Sequence, residues 1–350
     1  MEEWLEILIR LGIGFAALWF VVILSLLLKG VDRKFAAWLQ ARVGPPIRQP
    51  FWDVAKLWQK ENIIPERAVP WVFNGAPILA LIFSLLLFFY IPVGPVKGLL
   101  DNWMPLLGGY GDLILIVYLL AVPGLMMAIG GFASGSPLST VGAQREMVMM
   151  MSYELPLAVV ILSLAWRVTH LNGGLQAFSL GVLGDPDNTI WSMSGMGALG
   201  IIGGILLVAV FFLIIPSELS KIPFDAPEAE TEIGGGIIAE YSGNNLAMFY
   251  LADAIKTVAF TSLAVALFFP YNFSPVVERV FDVALSDPAS WVIDIAFWLL
   301  KIEVLYFLAV TVVRVGAARL KIDRLSWLYL VPLSMLSIIG VLLLYLDTMV

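Results

Sequence analysis

An all-α integral membrane protein is the fold class the sequence predicts, on three observations. Of 350 residues, 60% are hydrophobic and only 13% charged, and the mean hydropathy is +0.93. A soluble domain carries about 25% charged residues, so this chain has too few to cover its apolar bulk in water. Its apolar residues also gather in about eight sustained runs of near bilayer length, not in the short alternating segments of an outer-membrane barrel. An ordinary soluble enzyme is thereby excluded.

The runs follow in order. Charge-free stretches fall at Leu11–Leu28, Ala68–Val96, Leu113–Gln144, Leu155–Trp166, Asn188–Ser217 and Leu325–Leu346, the fourth extended back toward Met147. Two more, near Asn245–Phe269 and Trp291–Val313, are interrupted by charge: Asp253 and Lys256 in one, Asp294, Lys301 and Glu303 in the other. A single transmembrane domain over residues 1–350 is expected, with long loops at 30–70 and 218–243. Loops of that length between packed spans bind something or dip into the protein.

Orientation follows from the bases. The first loop region holds eight, from Lys29 to Arg67; Arg145, Lys221, Arg314, Arg319, Lys321 and Arg324 bring the odd loops to fourteen. The even loops hold three, Lys97, Arg167 and Arg279. Positive charge stays in the cytoplasm, so both termini are expected outside. Glu2, Glu3 and Glu6 before the first run and Lys29, Arg33 and Lys34 after it agree, and describe an uncleaved first helix.

The chemistry is bounded by what is missing. With no cysteine and one histidine, His170, the chain offers no disulfide, thiolate metal site, iron–sulfur ligand set or bis-histidine site. The first loop carries Arg42, Gly44, Pro45, Pro46, Arg48, Gln49, Asp53, Lys56 and Lys60: a rigid Gly-Pro-Pro turn, then an amphipathic helix over 51–59. It is either a basic topology anchor or a docking platform for a cytoplasmic partner. The fifth loop carries Glu218, Asp225, Glu228, Glu230, Glu232 and Glu240 around Gly234, Gly235 and Gly236, with Asp253 just beyond. Clustered carboxylates raise one another's pKa and can pass protons, whereas a solvated acidic loop does neither. Three consecutive glycines permit unusual backbone or close packing.

Charges within spans cost at least about 2.5–3.5 kcal/mol each to insert, so they are paired or functional. Asp253 and Lys256, three apart, share a helical face and can pair; Asp294 and Lys301, seven apart, also share one. Glu154 stands beside Pro156, which frees backbone groups. Three features are read as structural. Gly195–Gly200 fits G-x-G-x-x-G without a preceding strand and opens an apolar span. Met147, Met149, Met150 and Met151 are read as bundle filling, and His170 as incidental.

At Arg42-Val43-Gly44-Pro45, Gln49-Pro50, Asp53, Lys56-Leu57 and Lys60-Glu61 the chain resembles the H-subunit family of respiratory complex I. Residues 223–230, Pro-Phe-Asp-Ala-Pro-Glu-Ala-Glu, and 240–243, Glu-Tyr-Ser-Gly, resemble its acidic loop, and 152–156, Ser-Tyr-Glu-Leu-Pro, its central span. Quinone-reducing members carry a longer stretch between the Gly-Pro turn and the Gln-Pro pair. Here Pro45 and Gln49 are nearly adjacent, which, with Arg145-Glu146-Met147, looks like membrane-bound energy-converting [NiFe]-hydrogenases. The mixture resembles the M subunit of archaeal-type membrane-bound hydrogenase or sulfane reductase.

The resemblance implies an all-α bundle of about eight helices that binds no redox cofactor and is not catalytic alone. Iron–sulfur clusters, and in the hydrogenase case a nickel–iron centre, belong to partner chains. The implied partners are a peripheral iron–sulfur small subunit, a hydrogenase-like large subunit, antiporter-like membrane subunits and the lipid bilayer; nucleic acid is not among them. Glu154, Glu218, Asp225, Glu228, Glu230, Glu232, Glu240, Asp253, Lys256 and Lys301 are the expected charge relay. The alternatives are a subunit of a quinone-reducing complex, an independent ion transporter, which the missing internal repeat disfavours, and a passive anchor.

Overall fold

Apolar runs of bilayer length have one way to satisfy their backbone without water, and nearly every run becomes a helix. The computed structural model describes residues 2–91, 112–172, 178–185, 189, 191, 197–281 and 286–349. The helices are α1 (Glu2–Leu39), α2 (Gln49–Trp58), α3 (Pro70–Leu86), α4 (Leu113–Ala133), α5 (Pro137–Asn172), α6 (Leu180–Leu183) and α7 (Ala198–Glu218). Then come α8 (Glu230–Ile233), α9 (Gly243–Phe268), α10 (Ser274–Phe281), α11 (Asp287–Tyr306), α12 (Val313–Gly316), α13 (Ile322–Leu328) and α14 (Ser334–Met349). Two π-helical segments, Phe307–Val312 and Tyr329–Leu333, join α11 to α12 and α13 to α14. Among the described residues there is no strand, only an isolated bridge between Asp112 and Ser179.

Seven described helical segments are long and apolar enough to cross a membrane. The eighth expected run, Leu11–Leu28, lies within α1, whose 38 residues span about 57 Å. Prolines set several starts: α2, α3 and α11 each have one in the first turn, where its missing N–H costs nothing.

Two expected boundaries are corrected. The run Leu113–Gln144 is not one span: α4 stops at Ala133, and α5 starts at Pro137 and continues unbroken to Asn172. Apolarity alone does not register that break, because the residues on both sides of it are uncharged. Arg145 and Glu146 therefore lie inside a helix and not in a loop. The first loop also starts later than Gly30, because α1 continues through Lys29, Asp32 and Arg33 to Leu39.

The core centres on α9. Of its most apolar stretch 89% is buried, against 33–56% in the other six candidate spans. It packs on α1, α2, α3, α4, α7 and α11, while α14 lies along α7. Phe211 of α7 stacks on Phe260 of α9 and meets Phe268 edge to face, and Trp298 of α11 donates to the Ser262 hydroxyl at 3.1 Å. A helix enclosed on all sides in this way holds its polar side chains away from lipid, and α9 carries two charged ones.

Candidate functional site

Asp253 and Lys256 do not pair with each other, although one helical face could have joined them. Each takes partners from other elements. Asp253 accepts from Lys29 of α1 at 2.8 Å, and from Lys221 at 2.7 and 2.8 Å. Lys29 also stands 3.5 Å from the centre of the Tyr250 ring. One turn deeper, Lys256 Nζ lies 2.8 Å from Glu218 Oε1 and donates to the Glu218 carbonyl at 2.8 Å. Both partners are almost fully buried, with side chains 7% and 2% exposed. Removing one partner from such a pair strands the other charge, at about 3–5 kcal/mol.

Asp253 and the Glu218–Lys256 pair are joined by a cavity of about 50 Å³, lined by Glu146, Glu218, Glu228, Asp253 and Lys256, with Pro123 and Gly124 of α4 forming part of the wall. A water needs about 10–15 Å³ by this measure, so the cavity has room for several. Glu146 is buried and accepts weakly from the Ser220 hydroxyl at 3.5 Å. A Cβ on Gly124 would stand 2.8 Å from Glu146 Oε1 and 3.8 Å from Lys256 Nζ, so glycine lets α4 close on these charges. Four carboxylates and one ammonium around a hydratable space form an arrangement that can hold and exchange protons.

The fifth loop brings Glu228 to this cavity by folding back into the protein. Gly234, Gly235 and Gly236 all have positive φ, at 62°, 93° and 52°, a run of backbone that side-chain-bearing residues resist. Burial pushes the Glu228 carboxyl up to about 8, against the pull of Lys221 and with the help of Asp253 and Glu146. The remaining loop acids are not gathered there. Asp225 accepts from Arg319 at 2.9 Å, Glu232 pairs with Arg145, Glu230 is exposed and Glu240 is half-buried. The loop's acids thus divide between Glu218 and Glu228, which line the cavity, and others that tie the loop to neighbouring elements or face outward.

The first loop is likewise divided. Arg42, Pro46, Arg48, Lys56 and Lys60 are exposed, and Gly44, with φ +71°, and Pro45 make the turn. Arg42 bonds the Gln40 side chain, and Arg48 lies over Trp52 at 5.9 Å. Asp53 faces inward, accepting from Arg33 at 2.7 Å and from Gln49 at 2.9 Å, which fastens α2 to α1. Burial works against the Asp53 carboxylate, but the Arg33 and Gln49 hydrogen bonds and the Arg33 charge outweigh it and hold its pKa below the usual carboxylate value. Trp38, Val43, Trp52, Trp58, Ile63 and Trp71 are exposed around these bases.

Other expected residues lie apart. Lys301 donates to the Phe269 and Tyr271 carbonyls at 2.8 and 2.9 Å, and Asp294 accepts from the Phe273 and Ser274 amides, so these two do not pair either. Each satisfies backbone freed where α9 ends and α10 begins. Glu154 is half-buried on α5 and does not line the cavity. Arg167, expected in a loop, is buried 3.8 Å from Asp347. Met149 and Met150 are buried, but Met147 and Met151 face outward and fill nothing within this chain. His170 stacks on Trp166. The side chains of Glu2, Glu3 and Glu6, with Lys97, Gly195 and Met196, lie outside the described residues.

Sequence reasoning missed Glu146, Lys29 and Asp32 as site residues. Asp32 is buried between Thr311 at 2.6 Å and Arg314 at 2.9 Å. The signal is present: an acid inside a 36-residue helix, and a lysine and an aspartate in the C-terminal part of α1. Loop boundaries drawn at the first charge hide it. Among the described residues no group of His, Cys, Asp or Glu is placed to hold a metal ion.

Comparison with known proteins agrees with this architecture. A family model described as NADH dehydrogenase matches residues 13–344. The NADH-quinone oxidoreductase H subunit of Syntrophotalea carbinolica is 30% identical over 346 residues, covering 95% of this chain and 94% of its own. The protein of the same name from Thermomicrobium roseum is 30% identical over 360 residues, covering 96% of each chain. Among solved structures, a chain of the membrane-bound sulfane sulfur reductase, an archaeal respiratory membrane complex, superposes with a TM-score of 0.75 at 24% identity, covering 96% of this chain and 99% of that one. The chain belongs to the NADH dehydrogenase family, with the H subunits of NADH-quinone oxidoreductases as its homologues.

Proposed function

We propose that this chain is the membrane-embedded coupling subunit of a respiratory complex. It docks a peripheral electron-transfer arm and links redox chemistry to the movement of protons or sodium ions. The observation that carries the reading is the sequence of charge from half-buried Asp253, with Lys29 and Lys221, across the cavity to Glu228 and to the fully buried Glu146 and Glu218–Lys256 pair. Burying that much charge costs far more than anchoring requires, and a movement of one member changes the field at the next. The names of the homologues and the respiratory complex with the matching fold support the same reading.

In this reading the arm sits against the exposed bases and aromatics of the first loop, on the cytoplasmic side, with both chain termini outside. The docking set is Arg42, Gly44, Pro45, Pro46, Arg48, Gln49, Lys56 and Lys60, with Asp53 holding α2 in place. A small iron–sulfur subunit, a hydrogenase-like large subunit and antiporter-like membrane subunits complete the complex. Their clusters do the electron chemistry, hydrogen evolution or sulfur reduction. Glu218, Glu228, Asp253 and Lys256 form the inner relay, together with Glu146. Glu154, Asp225, Glu230, Glu232 and Glu240 lie outside it as further members of the relay, and Lys301 stands at the far end of α9.

A second reading, a subunit of a quinone-reducing complex, is favoured by the names of the homologues. The short turn between Pro45 and Gln49 counts against it, because little chain remains there to build an entrance chamber. The test of coupling is ion uptake per electron by the intact complex in vesicles. Glu228→Gln or Glu154→Gln is expected to lower that ratio more than it lowers binding of the arm. An assembled variant that pumps at the wild-type ratio removes that acid from the relay.

A further inference from the structure

Glu303 of α11 takes no part in the contacts described above. Both of its carboxylate oxygens are buried, and no donor among the described residues bonds either one. The side chain lines a second cavity, of about 20 Å³, whose charged walls are Lys29, Lys221 and Asp253. That is room for one water. Ser25 and Thr257, also in the wall, donate to carbonyls of their own helices, which leaves their oxygens free to accept from that water.

The surroundings make opposite demands on this acid. An ionised carboxylate with no donor in a water-poor site is strongly disfavoured, so the geometry calls for the neutral acid. Yet Lys29 of α1 and Lys221 of the fifth loop bring two positive charges against the single carboxylate of Asp253. Nearby, Asp32 of α1 is matched by Arg314 of α12, and Tyr306 of α11 is an uncharged phenol. While Glu228, which also faces Lys221 and Lys29, keeps its proton, one positive charge is left over on the wall of the cavity that Glu303 lines, and both ammonium groups are turned to Asp253.

We propose that Glu303 is a proton-binding site, distinct from the acidic loop. It holds a proton while Lys29 and Lys221 are bound to Asp253, and it releases that proton when either ammonium turns across the cavity. On release the carboxyl O–H bond breaks and its electron pair stays on the oxygen. The proton goes to the cavity water as hydronium, and the ammonium faces the new carboxylate. The site itself rests on the cavity and its orphaned oxygens; its part in ion movement rests on the coupling reading above.

The test is infrared difference spectroscopy of the intact complex in membranes, triggered by a pH step and read in the carbonyl band of protonated carboxylic acids. The wild type is expected to give a band that shifts in D₂O, to lose it in Glu303→Gln and to keep it in Glu228→Gln. If Glu303→Gln does not assemble, Glu303→Asp is expected to move the band in frequency. A full wild-type set of bands in Glu303→Gln, or an unmoved set in Glu303→Asp, overturns the proposal. Ion uptake per electron in Glu228→Gln tests the coupling reading separately, because it does not involve Glu303.

Discussion

Lys256 and Glu218 show what one residue contributes. The pair is buried, with both side chains almost wholly withdrawn from the surface. Lys256→Met strands the Glu218 carboxylate and should destabilise the protein by about 3–5 kcal/mol, whereas Lys256→Met with Glu218→Leu should recover most of that loss. Thermal unfolding in detergent checks both. Glu228 makes the stability depend on pH. Its carboxyl is raised to about 8 when folded, so the folded chain binds more protons than the unfolded one between about pH 4.5 and 8. Its contribution is present below the unfolded value and is lost as pH rises through 8. Glu228→Gln should flatten that part of the stability profile. Asp53 has the opposite sign: its depressed carboxylate stabilises above its unfolded value, and this is lost as pH falls through the folded one.

At the scale of elements, apolar length and charge placement are enough to expect each span, but not its ends or its partners. The α4–α5 break at 134–136 carries no charge, so spans drawn by charge run through it and set Glu146 beside a loop, although Ser134-Gly135-Ser136-Pro137 reads as a turn and the fold sets Glu146 on a buried face. The spacing of Asp253 and Lys256 permits a pair, yet cross-helix partners take both, since Lys29 and Glu218 lie on helices packed against α9. Partner choice depends on which helices are neighbours, and that information is non-local. By contrast, the glycine run and the Gly-Pro turn are legible, because backbone rules are local. For α2 and its preceding turn, Arg42→Glu or Arg48→Glu should detach the arm while the membrane part still assembles, by putting like charges across the contact. Native gels of solubilised membranes read this directly; an arm still bound with unchanged electron transfer would reduce the loop to a topology anchor.

Across the whole molecule, a chain of opposite charges runs from the C-terminal part of α1 through α9 to the fifth loop, among apolar helices. Because the chain has no cysteine, its orientation is open to a clean test: Thr348→Cys should react with an impermeant thiol reagent from outside, and Lys60→Cys from the cytoplasm. Labelling of both from one side would refute the expected topology. If the internal charges couple electron transfer to ion movement, altering one of them lowers the ions moved per electron. The direct measurement is ions taken up per electron transferred, in vesicles holding the intact complex, for Glu218→Gln and Lys256→Gln singly and together. Electron transfer is expected in every variant that assembles, with the ratio lowered in each single variant and not lowered additively in the double. Assembled variants that pump at the wild-type ratio would contradict it.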